Sequence, residues 1–313
     1  MQPPKFAVLL VAASLALPAF AAANDQGSGQ TLITVLPKNG DSPLHLQTQN
    51  VQLKVDGKDS TITNFAPAKG PGSPLELVLL IDSSARSSLG TQLNDIEGFV
   101  KEMPQNTRMA IAYMDNGRAV FSGPLSSNPA QVLSGLHLPM GVPGQSSSPY
   151  FCLSDLAKNW PSHDMSARRE VVMITDGVDY YQLHYDPEDP YVLSAIQDSV
   201  KAGIVVYSIY WVNQGRIDRT WYENNAGQNL LQEVTQATGG YGYWEGLGNP
   251  VSFAPYFKDL RQRFQNQYRV SFSSELKNKA QVQHMSVKLS GAEAKVTAPQ
   301  QVFVSRTGTN TGE

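Results

Sequence analysis

The stretch LELVLLIDSSARSSLG, residues 75–90, decides the fold. Its first seven residues form a near-continuous apolar run, the pattern of a strand buried on both faces. The run stops at Asp82, Ser83 and Ser84. An acid at the end of a buried strand loses its solvation and must be hydrogen-bonded, paired or close to a cation. The same pattern returns at 169–177, REVVMITDG, where a hydrophobic strand ends in Asp176.

Working outward, buried strands alternate with amphipathic stretches. TQLNDIEGFVKEM places Leu93, Ile96, Val100 and Met103 at helical spacing, and Pro104 ends it. TRMAIAYM and IVVYSIYWV are further buried strands, and RAVFSG is expected to hairpin back on the first. NPAQVLSGL, CLSDLAKNW, DPYVLSAIQDSVKAG, AGQNLLQEVTQATGG and PYFKDLRQRF are helices, with Asn128 as one cap. This alternation predicts an α/β protein with a Rossmann-like, mainly parallel central sheet and helices on both faces. Period-two alternation at the two ends (TLITVL, LHLQTQ, VQLKVDG, STITNF; QYRVSFS, QVQHMSVKLSG, AKVTAPQQVFV) adds small β regions, expected to form one small accessory unit or to extend the sheet edge. The expected divisions are an N-terminal β region at 24–65, a Pro/Gly linker at 66–74, the α/β domain at 75–245, and a C-terminal helix and β-strand extension at 246–313.

Residues 1–23 read as a cleavable secretory signal: Lys5, an apolar stretch from Phe6 to Leu17, then Pro18 and small residues. The stretch is shorter than the roughly 20 residues that cross a bilayer, and no later segment reads as a membrane span. The expected location is secreted or periplasmic. Cys152 is the only cysteine, which excludes an internal disulfide and a multi-cysteine zinc site. A net charge of −3 without a basic run points away from nucleic acid.

Ligands of an open α/β sheet sit at the carboxyl ends of its strands. Two acids meeting there repel unless a cation lies between them, and the hydroxyls of Ser83 and Ser84 are hard oxygen donors of the kind Mg²⁺ takes. With these residues the chain resembles von Willebrand factor type A domains over about 75–245. More narrowly, VQLKVDGKDSTITNF, SPYFCLSDLAKNWP and LRQRFQNQYRVSFS resemble an exported, acidobacterial-type group related to those domains. The resemblance implies a metal-ion-dependent adhesion site (MIDAS) of pattern Asp-x-Ser-x-Ser, a threonine from a middle loop and a later aspartate. Asp82, Ser84 and Asp176 match. Arg86 stands where the second serine belongs, and Ser147 or Ser148 is the nearest hydroxyl to the threonine place, Ser148 being the candidate taken. The site is therefore expected to be degenerate. Arg86 pointing inward would replace the metal by an ion pair with the two acids; pointing outward, it would leave a weak Mg²⁺ or Ca²⁺ site. No cofactor is the first expectation.

The loop GVDYYQLHYDPEDPY lacks calcium-loop spacing, and its acids Asp179, Asp186, Glu188 and Asp189 are expected in solvent. Tyr180, Tyr181, Tyr185 and Tyr191, with Trp211, Trp221 and Tyr222, form an expected partner-binding face, since amphipathic rings are enriched in interfaces. The five histidines are scattered, no Gly-x-Ser-x-Gly elbow or phosphate-cradling glycine motif is present, and Cys152 reads as a buried thiol. The expectation is a non-enzymatic, adhesion-type binder of a protein or peptide outside the cytoplasm. The rivals are a scaffold in an envelope assembly and a hydrolase using the Asp82/Asp176 pair.

Overall fold

In the computed structural model, which describes residues 26–38, 46–142, 144–212, 221–246, 248–276, 279–291 and 293–306, the run at 75–82 is the middle of a six-stranded sheet. Side chains at 86, 87 and 221–224 are outside that description, as is the expected signal at 1–23.

The chain begins with strands β1 (Gln26–Pro37), β2 (Val51–Val55), β3 (Lys58–Asp59) and β4 (Thr61–Pro67). The α/β unit follows: β5 (Leu75–Asp82), α1 (Leu93–Glu102), β6 (Thr107–Asp115), β7 (Arg118–Phe121), α2 (Pro129–Leu133), α3 (Pro149–Lys158), β8 (Arg168–Thr175), α4 (Pro190–Lys201), β9 (Ile204–Tyr210), α5 (Trp221–Thr238) and β10 (Gly242–Tyr243). The chain then forms α6 (Ala254–Gln265), β11 (Gln267–Glu275), β12 (Gln281–Leu289), β13 (Ala294–Thr297) and β14 (Gln301–Arg306).

The first sheet runs β10-β9-β8-β5-β6-β7, parallel except for the β6–β7 hairpin. Every residue of β5 and β8 is buried. One face packs on Ile96, Phe99 and Val100 of α1, Val132 of α2 and Phe257, Leu260 and Phe264 of α6. The other packs on α3, α4 and α5 through Leu153, Leu156, Ile196 and Leu230. Fully buried aliphatic side chains of this kind stabilise by about 1.5–3 kcal/mol each. Glu76 lies inside this run and is buried too; Trp160 Nε1 donates to its Oε2 at 2.6 Å and Arg108 pairs with Oε1.

The expectation of a mainly parallel sheet applies to this unit alone. The β regions of the two ends form one unit, larger than the small one expected: an antiparallel sheet of eight strands ordered β3-β2-β12-β14-β1-β11-β4, with β13 on β1. Among the described residues, β2 pairs with β3 and β12 with β14 inside one end of the chain, and the other ladders join strands of opposite ends. Pairing β1 with β11 and β14 buries Ile33 and Val35 with Val270, Phe272, Val302 and Val304. LHLQTQ is not a strand where it is described, since Thr48–Asn50 is a 3-10 turn. The expected linker starts inside β4, where Ala66 and Pro67 still pair with Arg269 and Tyr268.

A buried polar junction joins the two sheets at the amino ends of the parallel strands. Arg168 Nη1 donates to Gln267 Oε1 at 2.5 Å and to Phe264 O at 2.8 Å, and Gln267 Nε2 donates to Glu170 Oε1 at 2.7 Å. Arg168 and Glu170 are on β8 and Gln267 opens β11. Burial pushes the Glu170 carboxyl up from 4.5 to about 7, against the pull of Arg168. A carboxyl raised on folding binds its proton more tightly in the folded state, so its contribution to stability falls as pH rises through that window. Relative to a Glu170→Gln variant, the parent should lose melting temperature as pH is raised from 4.5 to about 7, and the difference should then level off. A difference that stays flat or grows across this window would show Glu170 already ionised and held by Arg168.

Candidate functional site

From β5 the chain crosses to β6 on one side, and from β8 it crosses to β9 on the other, although β5 and β8 are neighbours. Such a reversal is where open α/β sheets place their ligands, beyond the carboxyl ends of the strands, here those of β5 and β8. Asp82 is the last residue of β5, and Asp176 directly follows β8.

Asp82 is buried and saturated with donors. Its Oδ1 accepts from Ser84 N at 2.9 Å and Ser84 Oγ at 2.5 Å, which starts the 3-10 turns of Ser83–Gln92. Its Oδ2 accepts from Thr175 Oγ1 at 2.7 Å, across the strand pair. Thr175 Oγ1 also accepts from Gly177 N at 3.2 Å, and Asp176 Oδ1 accepts from Val178 N at 2.9 Å. Burial, then the charge of Asp176, push Asp82 up to about 6, while the Ser84 and Thr175 bonds pull it down. Gly177 has φ +69°, and a Cβ there would lie 2.5 Å from Gly227 O; a Cβ on Gly227 would lie 2.2 Å from Asp176 O. Only glycines allow α5 to press against the turn that carries Asp176.

The hydroxyl loop before α3 is placed differently from expectation. Ser148 caps α3, and its Oγ donates to Asp179 Oδ2 at 3.0 Å, so it serves a third acid. Ser147 adopts φ +62°, and its carbonyl accepts from Tyr180 N at 3.1 Å. Asp179 and Asp189, expected in solvent, are both buried. They turn inward because their carboxylates satisfy backbone amides, those of Tyr181 for Asp179 and of Tyr191 and Val192 for Asp189.

The expected aromatic face is only partly assembled. Tyr181 is 63 % exposed and packs edge-on to Phe151, which also meets Tyr191; the ring centroids are 5.2 and 4.6 Å apart. Tyr180 covers Gly144, and Tyr185 donates to Glu233. Trp211 is a correction. It is buried in the core, edge-on to Phe253 at 5.3 Å, with Nε1 donating to Ser88 Oγ at 3.1 Å, because β9 still lies under the 3-10 turns where the chain leaves it. The side chains of Trp221, Tyr222 and Arg86 lie outside the described residues.

Strand order, the two acids at the reversal and the hydroxyl turn after the first strand agree with the resemblance in the sequence. The six-stranded unit is von Willebrand factor type A-like. No protein-family model matches the chain, and no curated protein does. Among solved structures, the type A-like fold is similar to an aerotolerance-related membrane protein from Bacteroides fragilis, at 17% identity over 61% of this chain and 98% of that one, TM-score 0.43. It is also similar to the pilus adhesin SpaC from Lactobacillus rhamnosus, at 10% identity over 86% of this chain and 49% of that one, TM-score 0.47. A third is proximal thread matrix protein 1 from the mussel byssus, solved with a zinc-occupied MIDAS motif, at 12% identity over 65% of this chain and 48% of that one, TM-score 0.42.

Among the described residues no three His, Cys, Asp or Glu side chains group as a metal cluster. Asp82, Ser84, Thr175 and Asp176 supply only hard oxygens, so the set fits Mg²⁺ or Ca²⁺ in kind. Thr175 was missed in the sequence; the signal was its place directly before Asp176 in MITDG. Thr175→Val should lower stability by about 1–3 kcal/mol, because it removes a donor from a buried carboxylate. Thr175→Ser, which keeps the hydroxyl, should recover most of the loss in a denaturant titration. A Thr175→Val protein as stable as the parent would show that this hydroxyl bond contributes nothing.

Proposed function

We propose that this chain is an exported, non-enzymatic protein-binding module of adhesion type. The observation that carries this reading is an exposed aromatic patch, Tyr181 with Tyr191 and Phe151, on the loop and helix starts that flank Asp82 and Asp176. Rings held by one another lose little entropy on docking and offer a large contact area. The partner is a protein or peptide outside the cytoplasm, and the signal-like 1–23 segment supports export. Proximity labelling from the mature protein, recovered outside the cytoplasm with its N-terminus near Ala22 or Asn24, tests both parts. Tyr181→Asp combined with Tyr191→Asp should cut labelling of the partner about tenfold or more, with little change in melting temperature. Loss of labelling only on changes in the antiparallel sheet would favour the scaffold reading instead, and an intact Met1 on cytoplasmic protein would overturn export.

The site is a degenerate MIDAS in this reading. Arg86, in place of a ligand serine, supplies the positive charge that the acids need. Were a cation bound instead, Asp82, Ser84, Thr175 and Asp176 would hold it, and it would offset the repulsion of the acids and present a coordination place to a partner carboxylate. Calorimetry with Mg²⁺ and with chelator separates the two. The parent should show little metal-dependent shift in melting temperature. Arg86→Ser should be destabilised and should then gain stability with metal, by binding to the folded state. A clear metal-induced stabilisation of the parent would restore an ordinary adhesion site.

A further inference from the structure

A cleft of about 610 Å³ lies between the two sheets, at the amino ends of β8 and β9 and so at the opposite edge from Asp82. That volume is in the range of small-molecule sites, roughly 300–1,000 Å³. Three cations line it: Arg169, the second residue of β8; Arg269 on β11; and Lys201, at the end of α4. No aspartate or glutamate lines it among the described residues.

The two guanidiniums are held by neutral acceptors. Arg169 Nη2 donates to Ser162 O at 3.0 Å, and Arg269 Nη2 donates to Ser166 O at 2.6 Å and Ser73 Oγ at 3.0 Å. The acids whose charge reaches them are Glu76 and Asp164. Both are engaged by Arg108, Glu76 as a close pair and Asp164 at 3.7 Å. Arg169 is buried and Arg269 half-buried, so their charge is only partly offset. Such a charge is costly unless something compensates it. Ser28 and Ser271, on the same face of the antiparallel sheet as Arg269, and the apolar residues Val200 and Phe303 also line it.

We propose that this cleft binds a small organic anion, a carboxylate or phosphate carried on a hydroxyl-bearing body of the sugar-acid or sugar-phosphate class. Rigid guanidinium forks suit either headgroup, and the wall hydroxyls suit the ligand's own hydroxyls. The site is separate from the partner face and stands or falls without it.

Thermal shift and titration calorimetry on the full mature chain test this, with galacturonate, glucose 6-phosphate, inorganic phosphate, neutral galactose, and sodium chloride at matched ionic strength. One or both sugar anions at about 10 mM should raise the melting temperature by about 2–5 °C over the chloride control, and galactose should not. Arg269→Gln should weaken binding about tenfold, and Lys201→Gln, on an exposed side chain without an ion pair among the described residues, about threefold. Should Arg269→Gln fail to fold, Lys201→Gln carries the comparison. No shift with either sugar anion would overturn the proposal. So would undiminished binding in Lys201→Gln, or inorganic phosphate binding as tightly as the sugar anions, which would reduce the cleft to a patch for simple ions.

Discussion

A strand with neighbours on both edges and helices on both faces leaves its polar residues no water, and β5 is such a strand. It carries two acids, and each fixes what must stand beside it. Glu76 at one end brings in the indole of Trp160 and the guanidinium of Arg108 from two other elements. Asp82 at the other end brings in the hydroxyl turn of Ser84 and the hydroxyl of Thr175 on the next strand. Burying either acid without these bonds would cost several kcal/mol. Much of the polar architecture around the parallel sheet follows from keeping two carboxylates dry.

The antiparallel sheet is held to the amino edge of the parallel one by a comparable constraint. Arg168 and Arg169 are adjacent on β8, so their side chains leave on opposite faces. Arg168 enters the junction with Gln267, and Arg169 turns to the cleft. One dipeptide thus serves both the weld between the sheets and the charge of the space between them. The two edges of the parallel sheet differ chemically: Asp82 and Asp176 meet at the carboxyl ends, while arginines and acids are paired at the amino ends, with Arg169 and Arg269 facing the cleft.

The α/β unit was legible because its signals are local. Continuous apolar runs, capping residues such as Asn128 and the acids ending LELVLLID and VVMITD each act over a few residues. The strand pairing within the joined terminal β regions was not, since β1 and β11 meet across more than two hundred residues and alternation does not name a partner. In the site, Asp82, Ser84 and Asp176 could be read from the pattern, but the direction of the Ser148 hydroxyl depends on Asp179, reached through another loop. Trp211 departs from expectation because a position just after a strand does not fix exposure. Trp211 directly follows β9 and its amide still donates to Thr175 O on β8, so the residue stays covered and the indole is buried there.

The two glycines at the Asp176 turn have a mechanical consequence. α5 touches that turn through Gly227, and its far end touches the other sheet, where Gln300 N donates to Gln236 O at 3.0 Å and Gly239 abuts Pro299. Between Gly227 and Gln236, α5 makes a strut about 14 Å long. Its two feet stand on the carboxyl edge and on the antiparallel sheet, with no room at the first foot for even a methyl group. A tilt of this strut therefore registers at both places at once, so the accessory sheet acts as a brace on the geometry of the turn that carries Asp176.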